Sequence, residues 1–200
     1  MPDVTTQDMI DQHLQRLQTE GVTHDAATES RDQKRLNITP ATGRFLELLI
    51  TESKPNRILE LGTSNGYSTI WIARASSQVG ATVDTIECSK FKVNEAKENV
   101  AIANLSHCVQ IHRIDAGEFL GDCDPSVYDM VFLDADRSRY VDWSNDLLRV
   151  VNLGTIVVDN ALSHAEELKP MQDALNERSG LATVVLPIGK GQLIIRNACQ

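Results

Sequence analysis

Five short apolar runs in this chain carry an acidic residue at or just past their carboxyl end. Glu60 stands in Arg57-Ile-Leu-Glu-Leu61 and Glu87 follows Ala81-Thr-Val-Asp-Thr-Ile86. Asp115 follows residues 108–114, Asp134 follows 128–133, and Asp159-Asn160 follows Thr155-Ile-Val-Val158. Runs of this length and composition read as buried parallel strands, and in open α/β sheets ligands bind beyond the carboxyl ends of strands. Acidic groups along one sheet edge repel unless something positive sits among them. Asp134, Asp159 and Asn160 supply two carboxylates and an amide carbonyl from the fourth and fifth strands. With open water positions, that donor set suits a hard divalent cation, Mg²⁺ before others. Each taken singly has a plainer reading as a turn or helix cap. Their placement at one height on two strands favours the metal.

Between the first strand and the residues that begin a helix (Ile70, Ile72, Ala73) lies the turn Gly62-Thr-Ser-Asn-Gly66. A strand, a glycine turn and a helix start bring free backbone N–H groups and a positive dipole end to one point. The spacing is G-x-x-x-G, not the G-x-G-x-x-G of dinucleotide sites, which disfavours a nicotinamide or flavin cofactor. Glu60 would repel a phosphate and suits a ligand with a cationic end. Glu87, 21 positions after Gly66, is placed to accept hydrogen bonds from a ribose diol. A ribose, an adenine and a zwitterionic amino acid end together describe S-adenosylmethionine.

The elements that must hold these residues can be read in order. Met9, Ile10, Leu14 and Leu17 predict an amphipathic helix over 6–20, whose apolar face must pack on something and allows a homodimer. A charged stretch, 26–35, predicts a second helical piece with a solvated face. Thr39 and Pro40 form an N-cap and first helical position for a helix reaching about Ser53. From Arg57 onward strands and helices alternate, the sign of a parallel sheet with helices on both faces. Ser89 caps a helix carrying Val93, Ala96, Val100 and Ala103, and helices are expected over 141–151 and 162–178. Two last strands, about 182–187 and 192–196, join through Gly189-Lys190-Gly191 as a hairpin. The expectation is a single α/β domain over 1–200, with an N-terminal helical cap segment (1–35) and a core (36–200).

Composition is that of an ordinary globular chain, 200 residues with 42% hydrophobic and 24% charged. A net charge of -9 argues against nucleic acid as partner. Cys88, Cys108, Cys123 and Cys199 lack metal or disulfide-framework spacing and read as reduced thiols of a cytoplasmic protein. The first residues carry no apolar signal region, and no run is long enough to cross a membrane.

Four stretches in order, residues 58–68, Thr85-Ile-Glu87, Val131-Phe-Leu-Asp-Ala-Asp136 with Tyr140, and Val157-Val-Asp-Asn160, resemble the metal-dependent O-methyltransferases similar to catechol and caffeoyl-CoA O-methyltransferase. The resemblance runs from about Leu36 to Arg196. It implies a Rossmann-like class I methyltransferase fold, with a seven-stranded, mostly parallel sheet and an antiparallel strand from the C-terminal hairpin. It also implies methyl transfer from S-adenosylmethionine to a small hydroxylated, catechol-like acceptor, assisted by Mg²⁺. By the same resemblance Gly62, Ser64 and Ser68 line the methionine end with Glu60 nearby, Gly66, Tyr67, Cys88 and Asp134 are further cofactor positions, and Glu87 holds the ribose. Asp115 and Ala116 lie at the adenine, Ile38 and Thr39 close over the methionine part, and Asp134, Asp159 and Asn160 bind the metal.

One position departs from the pattern. The family commonly has lysine where this chain has Arg137, and arginine stays protonated, so it cannot be a general base. Arg137 can orient or stabilise a bound phenolate or carboxylate, and His164 is a substitute base with a suitable ordinary pKa. Tyr140 and Trp143 are candidates to line the acceptor pocket. Two other readings stay open: methylation of a modified tRNA base, and cofactor binding without catalysis.

Overall fold

The computed structural model describes residues 4–151 and 153–197, so Cys199 lies outside it. Seven strands form one sheet in the order β3-β2-β1-β4-β5-β7-β6. They are β1 (Arg57–Leu61), β2 (Thr82–Ile86), β3 (Val109–His112), β4 (Met130–Leu133), β5 (Thr155–Asp159), β6 (Leu181–Leu186) and β7 (Gln192–Asn197). The first five pair in parallel, and β7 enters antiparallel beside β5, as the C-terminal hairpin predicts. In β1, β4 and β5 nearly every residue is buried, because helices cover both faces of the sheet.

Alternation along each strand sorts the core into two layers. Ile58, Val83, Met130, Phe132 and Val157 face α1 (Val4–Ala27), α2 (Pro40–Ser53), α3 (Tyr67–Val79) and α4 (Lys90–Ile102). Leu59, Leu61, Val131, Leu133, Ile156 and Val158 face α5 (Ala116–Asp122), α6 (Tyr140–Val151) and α7 (Ala165–Asn176). Strand order reverses between β1 and β4, and at that switch point the carboxyl ends of neighbouring strands open a crevice.

Several helix starts follow their caps. Thr39 accepts from the Thr42 N–H with Pro40 in the first helical position, Ser89 caps α4, and Asp115 accepts from the Gly117 and Glu118 N–H groups at α5. The predicted helix over 26–35 is corrected: α1 runs on to Ala27, and only a single 3-10 turn, Arg31–Gln33, follows. The Asp25 carboxylate accepts from the backbone N–H of Arg35 (2.7 Å) and of Leu36 (2.8 Å), which draws this stretch back against α1 as a loop. Ile10, Leu14 and Leu17 are buried in the chain's own core. The apolar face of α1 is therefore already used, and it supplies no argument for a dimer. Among the described residues, no helix is long and apolar enough to cross a membrane.

Candidate active site

Two groups of residues meet at the crevice between β1 and β4. The first surrounds the glycine turn. Gly62 (φ 104°) lets the end of β1 approach the end of β4: a Cβ there would stand 2.3 Å from the Asp134 carbonyl oxygen. Ser64 also has positive φ (48°), and its N–H donates to Glu87 at 3.0 Å while its hydroxyl donates to the Arg35 carbonyl at 2.7 Å. Glu87 takes a second backbone bond from Ser89 (2.9 Å), which fixes its carboxylate beside the turn at the tip of β2. Gly66 opens α3 with no side-chain cap. Cys88 is exposed, with its thiol 3.7 Å from Glu87.

Glu60 is fully buried. Its oxygens accept from the hydroxyls of Ser68 (2.6 Å), Thr69 (2.5 Å) and Thr85 (2.6 Å). Burial pushes its pKa up to about 7, against the pull of those three donors. In this state the Glu60 carboxylate and the Ser68 hydroxyl are committed to each other at the base of α3. Tyr67 is buried, with its ring edge-on to Trp71. Ile38 is a core residue, and Thr39 lies at the α2 start, so close to Gly189 that a Cβ there would be 2.5 Å from its hydroxyl.

Asp115 and Ala116 stand at the exposed start of α5, beyond the end of β3. Beside them is Trp143, whose indole Nε1 would lie 2.8 Å from a Cβ on Gly117 and has no hydrogen-bond partner among the described residues. The structure places Trp143 at the α5 side, against Gly117. Tyr140 is wholly buried. Its hydroxyl donates to the Ala135 carbonyl (3.1 Å) and accepts from the Ala135 N–H (2.7 Å). It thus clasps the turn from Asp134 to Arg137, a structural task.

The second group lies where β4 and β5 end. Asn160, in left-handed conformation (φ 68°), directs its amide nitrogen to Asp134 Oδ1 at 2.9 Å and to Asp159 Oδ2 at 3.3 Å. The three side chains expected to share a cation thus converge. Burial pushes the Asp134 carboxyl well up, and the charge of Asp159 adds to the effect; burial likewise raises Asp159. Neither forms an ion pair among the described residues. Their donors are amides: Asn160 for both, and Gln192 for Asp159.

Two carboxylates held together with only neutral donors fit a divalent cation, which would remove their repulsion. Among the described residues no group of three or more His, Cys, Asp or Glu side chains could hold a metal, so the set depends on the Asn160 carbonyl oxygen. An amide rotation would supply it.

Sequence reasoning missed Gln192. It pairs with Asp159 across β5 and β7, is fully buried, and donates to Asp159 Oδ1 and to Thr42 Oγ1 (3.3 Å). Its own carbonyl oxygen is buried without a partner. Only strand register reveals this position. His164 precedes α7, and its ring shares a 2.8 Å hydrogen bond with Ser163. Desolvation and then the charge of Arg137 lower its pKa below the ordinary 6.5. Arg137 is buried, with its Nε donating to Glu167 at 2.7 Å.

A class of protein follows from a seven-stranded sheet of this order with a glycine turn and acidic strand ends at its switch point. Residues 13–196 match the family model described as O-methyltransferase, and the chain belongs to that family. The fold is shared with methyltransferases solved with S-adenosylmethionine or SAH bound. Among curated relatives, catechol O-methyltransferase of Niastella koreensis is 36% identical over 137 residues, 66% of this chain and 62% of the relative. Catechol O-methyltransferase of Mycobacterium tuberculosis is 30% identical over 178 residues, covering 82% of this chain and 80% of the relative. Among solved structures, an SAH-bound methyltransferase of Podospora anserina superposes with a TM-score of 0.80 at 19% identity, covering 100% of this chain and 89% of that one.

Proposed function

We propose that this chain transfers the methyl group of S-adenosylmethionine to a hydroxyl of a small catechol-like acceptor, with a divalent cation, Mg²⁺ first, at Asp134, Asp159 and Asn160. The observation that carries the reading is that half-buried Asp134 and buried Asp159 converge side by side with no ion-pair partner among the described residues, next to the glycine turn. Two relatives bear the name catechol O-methyltransferase, and one structural neighbour was solved SAH-bound, which supports both the donor and the acceptor class.

In this reading the donor spans the crevice. Glu87 faces the ribose hydroxyls, and the exposed start of α5 at Asp115 and Ala116, with the unpartnered Trp143 indole N–H beside it, faces the base. The uncapped start of α3, with Gly62, Ser64, Gly66, Tyr67 and Ser68, meets the methionine end together with Ile38 and Thr39; Glu60 is close by, and Cys88 and Asp134 border the donor. A cation at Asp134, Asp159 and Asn160 supplies a Lewis acid that makes a diol hydroxyl more acidic. Charge is neutralised as hydroxyl oxygen and sulfonium methyl meet, so the chain contributes chiefly alignment and exclusion of water. His164, its pKa lowered, accepts the proton, a task closed to Arg137. A cytoplasmic location belongs to the same proposal.

The test is methyl transfer from labelled donor to a panel of catechols, with magnesium and with chelator. Transfer is expected with magnesium and its loss with chelator. Undiminished transfer after chelation would remove the cation from the reading, and donor binding without transfer to any acceptor would leave only a cofactor-binding protein.

A further inference from the structure

We propose that the acceptor side of this site contains a carboxylate-binding subsite, built on Arg137 with Lys190, and that the acceptor is therefore a hydroxylated aromatic acid in preference to a neutral catechol. This rests on the reading above and narrows it.

The Arg137 side chain is only 7% exposed. Its Nε is spent on Glu167, but its two Nη groups carry no hydrogen bond among the described residues and are not among the sealed, unpartnered atoms. A buried guanidinium with half of its fork unused, that half reaching solvent, is costly to leave unpaired. The free edge matches a carboxylate in two parallel hydrogen bonds. Arg137 follows Asp134 by three positions on the turn that Tyr140 clasps, so the fork is fixed relative to the candidate cation ligands.

Lys190 supplies a second cation. It is exposed at the tip of the β6–β7 hairpin, and its carbonyl accepts from the N–H groups of Leu162 and Ser163, both at 3.0 Å. Those bonds dock the hairpin tip on the turn that runs from Asn160 to His164. The charges of Lys190 and Arg137 both act on Asp134 and Asp159, and with Arg31 they act on His164. Neither Lys190 nor Arg137 forms an ion pair with those aspartates, and among the described residues Lys190 and Arg31 form no ion pair at all. The acid that answers this group is Glu167, already paired with Arg137. In a chain of net charge -9, cations free of ion pairs whose charges act on the same few residues give an anion a place to bind. With a divalent cation between Asp134 and Asp159, the carboxylates no longer oppose it.

The experiment compares protocatechuate with its neutral amide, which keeps the diol and the shape but not the charge. Both are assayed with the full chain, magnesium and labelled donor, and both are measured for direct binding by equilibrium dialysis. Wild type is expected to favour the acid about tenfold in kcat/KM, the scale of a charge-assisted bidentate pair. Arg137→Gln should bring that ratio close to one through KM for the acid, and Arg137→Lys should restore part of it. Lys190→Gln, on an exposed hairpin tip and so safe for folding, should reduce the ratio about threefold. Equal kcat/KM for the two acceptors in wild type, or a preference that survives both Arg137→Gln and Lys190→Gln, overturns the subsite and leaves the methyl transfer standing. If neither acceptor is methylated, tighter binding of the acid that both variants abolish supports the subsite while sinking the acceptor reading. Equal binding of acid and amide sinks both.

Discussion

Two carboxylate clusters, one at Asp84 and one at Asp134 with Asp159, sit on the same sheet and have opposite electrostatics. Asp84, on β2, accepts from His112 (2.7 Å), Arg57 (3.0 Å) and the Tyr128 hydroxyl (3.1 Å). Burial opposes its ionisation, but these donors prevail and hold its pKa below the ordinary 3.8. Half-buried Asp134 and buried Asp159 have amide donors alone, and desolvation raises both. The fold gives Asp84 its charged partners, and in the proposed reading it leaves Asp134 and Asp159 for a cation to pair. The contrast separates a structural acidic residue from a functional one where sequence composition cannot.

Removing a carboxylate from the second cluster should have the largest effect. Asp159→Ala is expected to lower methyl transfer more than about a hundredfold, since a Lewis acid contributes several kcal/mol to such a step; initial rates with labelled donor measure it. Asp84→Ala should do the reverse. It should cost about 2 kcal/mol of stability by urea denaturation, the scale of hydrogen bonds to a charged group, with turnover unchanged. Matching losses of activity in the two variants would erase the distinction.

Magnesium should sharpen it further. At ten times its dissociation constant a cation adds about 1.4 kcal/mol, a rise of about 3–6 °C in melting temperature for a chain of this size. The rise should be present in wild type and in Asp84→Ala and absent from Asp159→Ala. The smallest effect is on pH. Because Asp84 has a depressed folded pKa, its contribution to stability is complete above 3.8 and is lost as pH falls through the lower folded value. Acid unfolding of wild type should show that loss, and Asp84→Ala should not.

Much of the fold was legible in the sequence. Apolar runs such as 58–61 and 155–158, the Thr39-Pro40 start and the hairpin glycines dictate local geometry through sterics and capping, which depend on near neighbours. The charged stretch 26–35 was misread because Asp25 captures the N–H groups of Arg35 and Leu36, a competition that charge patterning does not reveal. The site was legible in part. Asp134, Asp159 and Asn160 could be singled out by their positions at strand ends. That Trp143 lies against Gly117 at α5 is a matter of packing that its place in the sequence does not reveal.

The sequence by itself determined which residues end strands and start helices, and with that which carboxylates share an edge of the sheet. Tertiary structure alone decided which of those carboxylates are satisfied. Glu60 is satisfied by three hydroxyls, Asp84 by His112, Arg57 and Tyr128, and Asp134 and Asp159 by nothing charged. It also decided that Gln192 faces Asp159 from a strand 33 positions further along the chain. The physical reason is that strand and helix formation respond to neighbours along the chain. Whether a buried charge is paired depends on groups that only the folded sheet brings within hydrogen-bonding distance.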